Sequence, residues 1–156
     1  MERYNKILNN SLFNEAINTI TKNEKNRIFC RHGMEHCLDV ARIAYILSLE
    51  NNLNISKDII YSTALLHDIG RAFEGEAHNI KSAELSKTIL KDCSFTDNEI
   101  SEILKAILNH RENNSDINSL SNIIYKADKI SRQCYSCKAH SECYWEQDKR
   151  NHKIKY

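Results

Sequence analysis

Apolar residues recur along most of this chain at steps of three and four, the spacing of one face of an α-helix. Phe13, Ala16, Ile17 and Ile20 form one such face behind Ser11, which reads as its N-cap. A second run, from about Glu35 to Glu50, carries His36, Val40, Ile43, Ala44 and Leu47 on one side. Ser56 reads as the cap of a third helix, which passes Ile59, Ile60, Ala64 and Leu65 to reach His67-Asp68, with Gly70 at a natural stop. A fourth helix begins near Ala77 with the face His78, Ser82, Leu85 and Ile89. Thr96 and Glu99 have the spacing of a capping box and open a fifth, with the face Ile100, Ile103, Ile107 and His110. The polar stretch from Arg111 to Ser119 reads as a loop, and a sixth helix follows with Leu120, Ile124, Ala127 and Asp128. From Ser131 onward the periodicity fades into a Cys-rich tail that carries the only tryptophan, Trp145. No repeat or long linker divides the chain. The pattern predicts one all-α domain over residues 1–156, a bundle of about six or seven helices, with residues 133–156 as an extension.

Composition strengthens the helical reading. The chain of 156 residues has no proline and three glycines, where ordinary usage gives about seven or eight and about eleven. Sandwiches and barrels need turn residues often, so all-β folds are excluded. The three glycines, Gly33, Gly70 and Gly75, stand beside His36, His67-Asp68 and His78, where a helix must start or stop or backbone must approach a ligand. Other helix ends are then left to Ser, Thr, Asn and Asp caps. A net charge of +1 offers no global attraction to nucleic acid or anionic membrane. No apolar run approaches the ~18 residues of a membrane span. The polar N-terminus does not read as a signal peptide. The cytoplasm is the expected compartment, and the six cysteines are expected as thiols or metal ligands.

Five of the six helices place a histidine or aspartate on, or at the end of, an apolar face. His36 lies four residues before Val40, so about 40° around the helix from it. His110 follows Ile107 by three residues, Asp128 follows Ile124 by four, and His67-Asp68 closes the run Ala64-Leu65-Leu66. A lone histidine on such a face is usually a satisfied core residue. Six titratable groups on core faces are costly unless paired or bound to a metal, and imidazole with carboxylate suits Zn, Fe or Mn. His32 and Glu35, beside His36, are candidates for supporting the ligands, and His32 for a spare ligand.

Cys134, Cys137, His140 and Cys143 repeat every three residues. A Cys-x2-Cys pair suits Zn or an iron–sulfur cluster. On one continuous helix, however, steps of three drift by about 60° each, so the four could not meet. The plainer alternative is boundary thiols packing the last helix. Cys30, Cys37 and Cys93 are expected to pack as small apolar residues.

Three strings make a resemblance recognisable. Residues 29–41, Phe-Cys-Arg-His-Gly-Met-Glu-His-Cys-Leu-Asp-Val-Ala, resemble the opening His motif of the HD superfamily. Ala64-Leu65-Leu66-His67-Asp68-Ile69-Gly70 resembles its His-Asp signature, and Tyr125-Lys126-Ala127-Asp128-Lys129 its closing Asp motif. The resemblance spans residues 28–132. It implies a helical bundle and a metal-dependent phosphohydrolase, with one or two ions (Fe, Mn, Zn or Mg). His36, His67, Asp68 and Asp128 would hold the first; His78 and His110, with Asp68 as the bridge, would complete a second. That six-ligand order is similar to the small bacterial hydrolases of symmetrical dinucleoside tetraphosphates. An ion would supply hydroxide near neutral pH for in-line attack on phosphorus. The implied substrate is a small phosphorylated molecule, expected to be a nucleotide. Asp68 and Arg71 are the catalytic candidates; Arg71, Lys81, Arg111 and Lys129, each near a ligand, are the candidates for phosphate contact. Two rival readings of the same ligands remain: di-iron oxygenase chemistry, and a non-catalytic metal-binding sensor.

Overall fold

The computed structural model describes residues 2–74, 77–113 and 116–156, and among them every regular element is helical. Seven α-helices follow in order: α1 (Tyr4–Ile7), α2 (Ser11–Asn23), α3 (Met34–Glu50), α4 (Lys57–Leu66), α5 (His78–Asp92), α6 (Asp97–Asn109) and α7 (Leu120–Ile130). A 3-10 turn, Ile69–Ala72, links α4 towards α5, and two further 3-10 turns, Cys134–Ser136 and Gln147–Lys149, lie in the tail. No helix is long and apolar enough to cross a membrane among the described residues.

The helix starts follow from side-chain caps. Ser56 accepts from the Ile59 amide, Ser119 from Asn122, and Thr96 with Glu99 forms the expected capping box. At α2 the cap is Asn10 and not Ser11: the Asn10 side chain accepts from both Leu12 and Phe13, and Ser11 becomes the first helical residue. Asparagine reaches two orphan amides, which a hydroxyl one residue later cannot. Helices α3 and α5 start at Gly33 and Ala77 with no side-chain cap bond.

The short α1 escaped the periodicity because four residues show no repeat. It is held by tertiary contacts: Tyr4 and Ile7 are buried, and Arg3 pairs with Asp58 at 3.0 Å and Glu99 at 2.6 Å. The central helix α4 is buried nearly all round, from Ile59 to Leu66. Helix α3 packs against α4 and α7, α5 against α6, and α6 against α7. Their shared core includes Val40, Ala44, Ile60, Leu65, Leu66, Ile103, Ile107 and Ile124, all essentially inaccessible to water. Each such side chain contributes roughly 1.5–3 kcal/mol by leaving water.

Gly70 has a sharper task than stopping a helix. The 3-10 turn packs directly on α5, and a Cβ at Gly70 would overlap the His78 carbonyl and lie 2.5 Å from the Ser82 amide. The Gly70 amide instead donates to Ser82 Oγ at 2.8 Å. Gly33 has room for a side chain, its built Cβ meeting only Thr21 Oγ1 at 3.5 Å. Gly75 lies outside the described residues.

Candidate metal centre

The predicted ligands come from helix ends that meet at one end of the bundle. His36 is in the first turn of α3 and His78 opens α5. His67 and His110 are the C-cap residues of α4 and α6, and Asp128 is in the last turn of α7. The two C-cap histidines are built alike. His67 Nδ1 donates to the Ala64 carbonyl at 2.7 Å and His110 Nδ1 to the Ile107 carbonyl at 2.6 Å. A carbonyl only accepts, so Nδ1 carries a proton and Nε2 is the atom turned to the other donors. Each histidine thereby also satisfies a carbonyl left open at its own helix end.

Two ligand groups result. In the first, His36 Nε2 lies 3.3 Å from His67 Nε2, 3.5 Å from Asp68 Oδ2 and 3.3 Å from Asp128 Oδ1. His67 Nε2 lies 3.3 Å from Asp68 Oδ2 and 3.9 Å from Asp128 Oδ1. In the second, His78 Nε2 is 3.1 Å and His110 Nε2 3.5 Å from Asp68 Oδ1, with 3.3 Å between the two nitrogens. Asp68 thus divides its oxygens: Oδ2 faces one group and Oδ1 the other. Ligands about 2.0–2.2 Å from a shared ion stand roughly 3–3.6 Å apart, so both donor sets fit an ion. Asp68 Oδ1 is buried and accepts no well-formed hydrogen bond from the described residues, although Arg71 Nε lies 3.0 Å away as an ion pair.

Electrostatics separate the two groups. Burial works against a charged His36, but Asp128 and Asp68 outweigh it and raise its pKa to about 9. His78 moves the other way: its burial outweighs the pull of Asp68 and lowers it. Burial would push both aspartates up. The surrounding histidines, His67 foremost for Asp68 and His36 for Asp128, instead hold them well below the usual carboxylate range.

The remaining candidates divide. Arg71 and Lys129, the latter 2.8 Å from Asp128 Oδ2, line a cavity of about 330 Å³ that also includes His36 and Asp128. Lys81 pairs with Glu84 at 3.2 Å and Arg111 is exposed just past His110; neither lines that cavity. His32 stands outside both ligand groups: its Nδ1 is 2.6 Å from Glu24 Oε1 and its ring meets His36 edge-on at 5.5 Å. It supports the His36 ring. Glu35 is exposed. Several cavity residues lie outside the set expected from the sequence, among them Arg27, Arg132 and Arg150. Arg132 stands one turn after Asp128, a signal the spacing did carry; Arg27 and Arg150 carry none.

The HD domain family profile matches residues 33–133. The chain belongs to the HD domain family. The match covers the ligands from His36 to Asp128 and stops where the Cys-rich tail begins. Members of this family are generally hydrolases, and the buried His/Asp clusters are consistent with metal dependence. An uncharacterised protein of Clostridium beijerinckii is 44% identical over 159 residues, an alignment covering 100% of each chain. No solved structure matches.

Proposed function

We propose that this HD domain protein hydrolyses a phosphoester or phosphoanhydride bond of a nucleotide. His36, His67, Asp68 and Asp128 would hold one ion, and Asp68, His78 and His110 would hold a second. The observation that carries the reading is the divided carboxylate of Asp68, which joins two donor sets beside a cavity rich in cations. Bound there, such ions would supply hydroxide near neutral pH and Lewis acidity towards a phosphoryl oxygen.

The chain's own residues supply the rest. Asp68 ties the two donor sets together and fixes their spacing. Arg71, its side chain 34% exposed, lies beside Asp68 and faces the cavity, where its fork suits phosphate oxygens. Lys129 adds a second positive charge beside Asp128. Arg132, over the Trp145 ring at 4.6 Å, adds a further cation to the cavity wall. Several cations on one wall suit a phosphorylated substrate.

The test is phosphate release from a panel of mononucleotides, dinucleoside polyphosphates and cyclic dinucleotides by metal-loaded protein. Hydrolysis of at least one nucleotide, lost on chelation and in His67→Ala, is expected; symmetrical cleavage of a dinucleoside tetraphosphate would give the narrowest form of the reading. Full activity in His67→Ala overturns the ligand assignment. Oxygen uptake by iron-loaded protein with no phosphate release points to the oxygenase chemistry instead.

A further inference from the structure

The tail beyond α7 is chemically unlike the bundle. Across residues 132–156 only Ala139 is a buried apolar residue. The segment is not a helix, so the geometric objection to its cysteines meeting disappears: it runs through turns and two short 3-10 pieces. Polar side chains pin it to itself and to the bundle. Arg150 donates to the carbonyls of Trp145, His140 and Cys143 at 2.7, 3.0 and 2.9 Å. Asn151 donates to the carbonyls of Lys129 and Arg132, each at 2.8 Å. So small an apolar core does not order about 25 residues without a staple.

Four cysteines stand where that staple is needed. Cys134, Cys137 and Cys143 line the cavity from the tail, and Cys30 lines it from the loop before α3, more than a hundred residues earlier. Phe29 and Tyr144 meet edge-on at 5.7 Å and bring the loop and the tail together. All six cysteines of the chain are free thiols. Cys37 and Cys93 are buried as expected, whereas Cys30, expected to pack as a small apolar residue, is exposed. The arginines Arg27, Arg132 and Arg150 share the cavity and would offset thiolate charge.

We infer that Cys30, Cys134, Cys137 and Cys143 ligate an iron–sulfur cluster that staples the tail to the loop before α3. A single zinc is disfavoured by spacing. Four thiolates at about 2.3 Å from one ion stand roughly 3.8 Å apart, and the close-set donor groups among the described residues are of His and Asp alone. A cubane, being larger than an ion, takes its thiolates farther apart. His140 is not a ligand: it is exposed and its Nδ1 faces the Arg150 guanidinium at 3.4 Å. This site does not depend on the proposed hydrolysis, and its labile sulfide distinguishes its iron from any iron at the His/Asp centre.

The experiment is iron and acid-labile sulfide analysis of the full chain, purified anaerobically and after incubation with equimolar ferrous and ferric iron and sulfide. About four sulfides per chain are expected, with a visible chromophore bleached by dithionite. Cys30→Ser, Cys134→Ser, Cys137→Ser and Cys143→Ser should each lower sulfide about tenfold or more, while Cys93→Ala and His140→Ala keep it. Unmutated protein that takes up no sulfide overturns the inference, whatever the variants do. So does tightly held zinc, without sulfide, that the same four serines remove. A cluster that survives Cys30→Ser but is lost in His140→Ala overturns the ligand set. Helical circular dichroism on each serine variant separates loss of the cluster from loss of the fold.

Discussion

The two donor groups at the end of the bundle share one carboxylate and differ in almost everything else. The first has four donors, two of them carboxylates, and its His36 binds a proton tightly. The second has three donors, one of them the shared Asp68, and its His78 sheds a proton easily. The first group therefore offers more negative charge to a cation but must expel a proton to take it. The second is ready at neutral pH yet weaker in charge. Two ions entering this site should do so in distinct steps with distinct pH dependence.

The harshest way to break the contrast is to remove what the groups share. Asp68→Ala should empty both in elemental analysis and cut hydrolysis by on the order of 10³-fold or more, since such ions supply several kcal/mol at the transition state. Next come the separating variants. His36→Ala should cost the first ion and His110→Ala only the second, so that metal per chain falls by one in each but from different sites. Equal loss of both ions in His110→Ala would show the groups to be a single unit.

Gly70→Ala attacks the second group through packing. The added methyl has to displace α5, whose first residue is His78, because its nearest neighbours are backbone atoms. A cost of about 1–3 kcal/mol is expected, read as a lower Tm with preferential loss of the second ion.

The proton contrast predicts a pH effect with a definite sign. The pKa of His36 in the metal-free fold, about 9, lies above its ordinary 6.5. Its pairing with Asp128 and Asp68 therefore stabilises the metal-free protein fully below pH 6.5 and is lost as pH rises to 9. Over that window the Tm of metal-free protein should fall while the gain on adding metal grows. A gain that shrinks with rising pH would contradict the assignment.

The smallest effect lies far from both groups. Arg3 holds Glu99 down to about 2, against an ordinary 4.5. That support is present above pH 4.5 and fades as pH falls through 2. Arg3→Ala should cost about 1 kcal/mol or less, the pair being partly exposed, and leave metal content unchanged.

How far all this could be read from the chain depends on the length scale of each signal. Helices α2 to α7 were legible because each repeats its apolar face over several turns and most begin at a capping side chain such as Ser56 or Thr96. The cap at α2 was misplaced by one residue because Asn10 and Ser11 are both good caps, and only geometry tells which is already helical. The convergence of the six candidate donors was legible because charge on an apolar face is anomalous. What each neighbour does was not. Lys81 follows His78 by one turn and Arg111 follows His110 directly, yet neither lines the cavity, while Arg150, distant in sequence, does. Proximity along the chain does not fix direction in space. The division of Asp68 between two groups, and the meeting of Cys30 with the tail, arise only when remote segments pack.

The C-cap histidines have a last consequence, for folding and not for chemistry. His67 and His110 end their helices with the same side chains that offer lone pairs to the centre, and the other donors come from α3, α5 and α7. No partial bundle contains the whole donor set, so ions held there would favour the finished fold over any intermediate. Metal content is then a gauge of completed folding, and ions in excess of their dissociation constant by about a hundredfold would add roughly 2.7 kcal/mol per site to global stability.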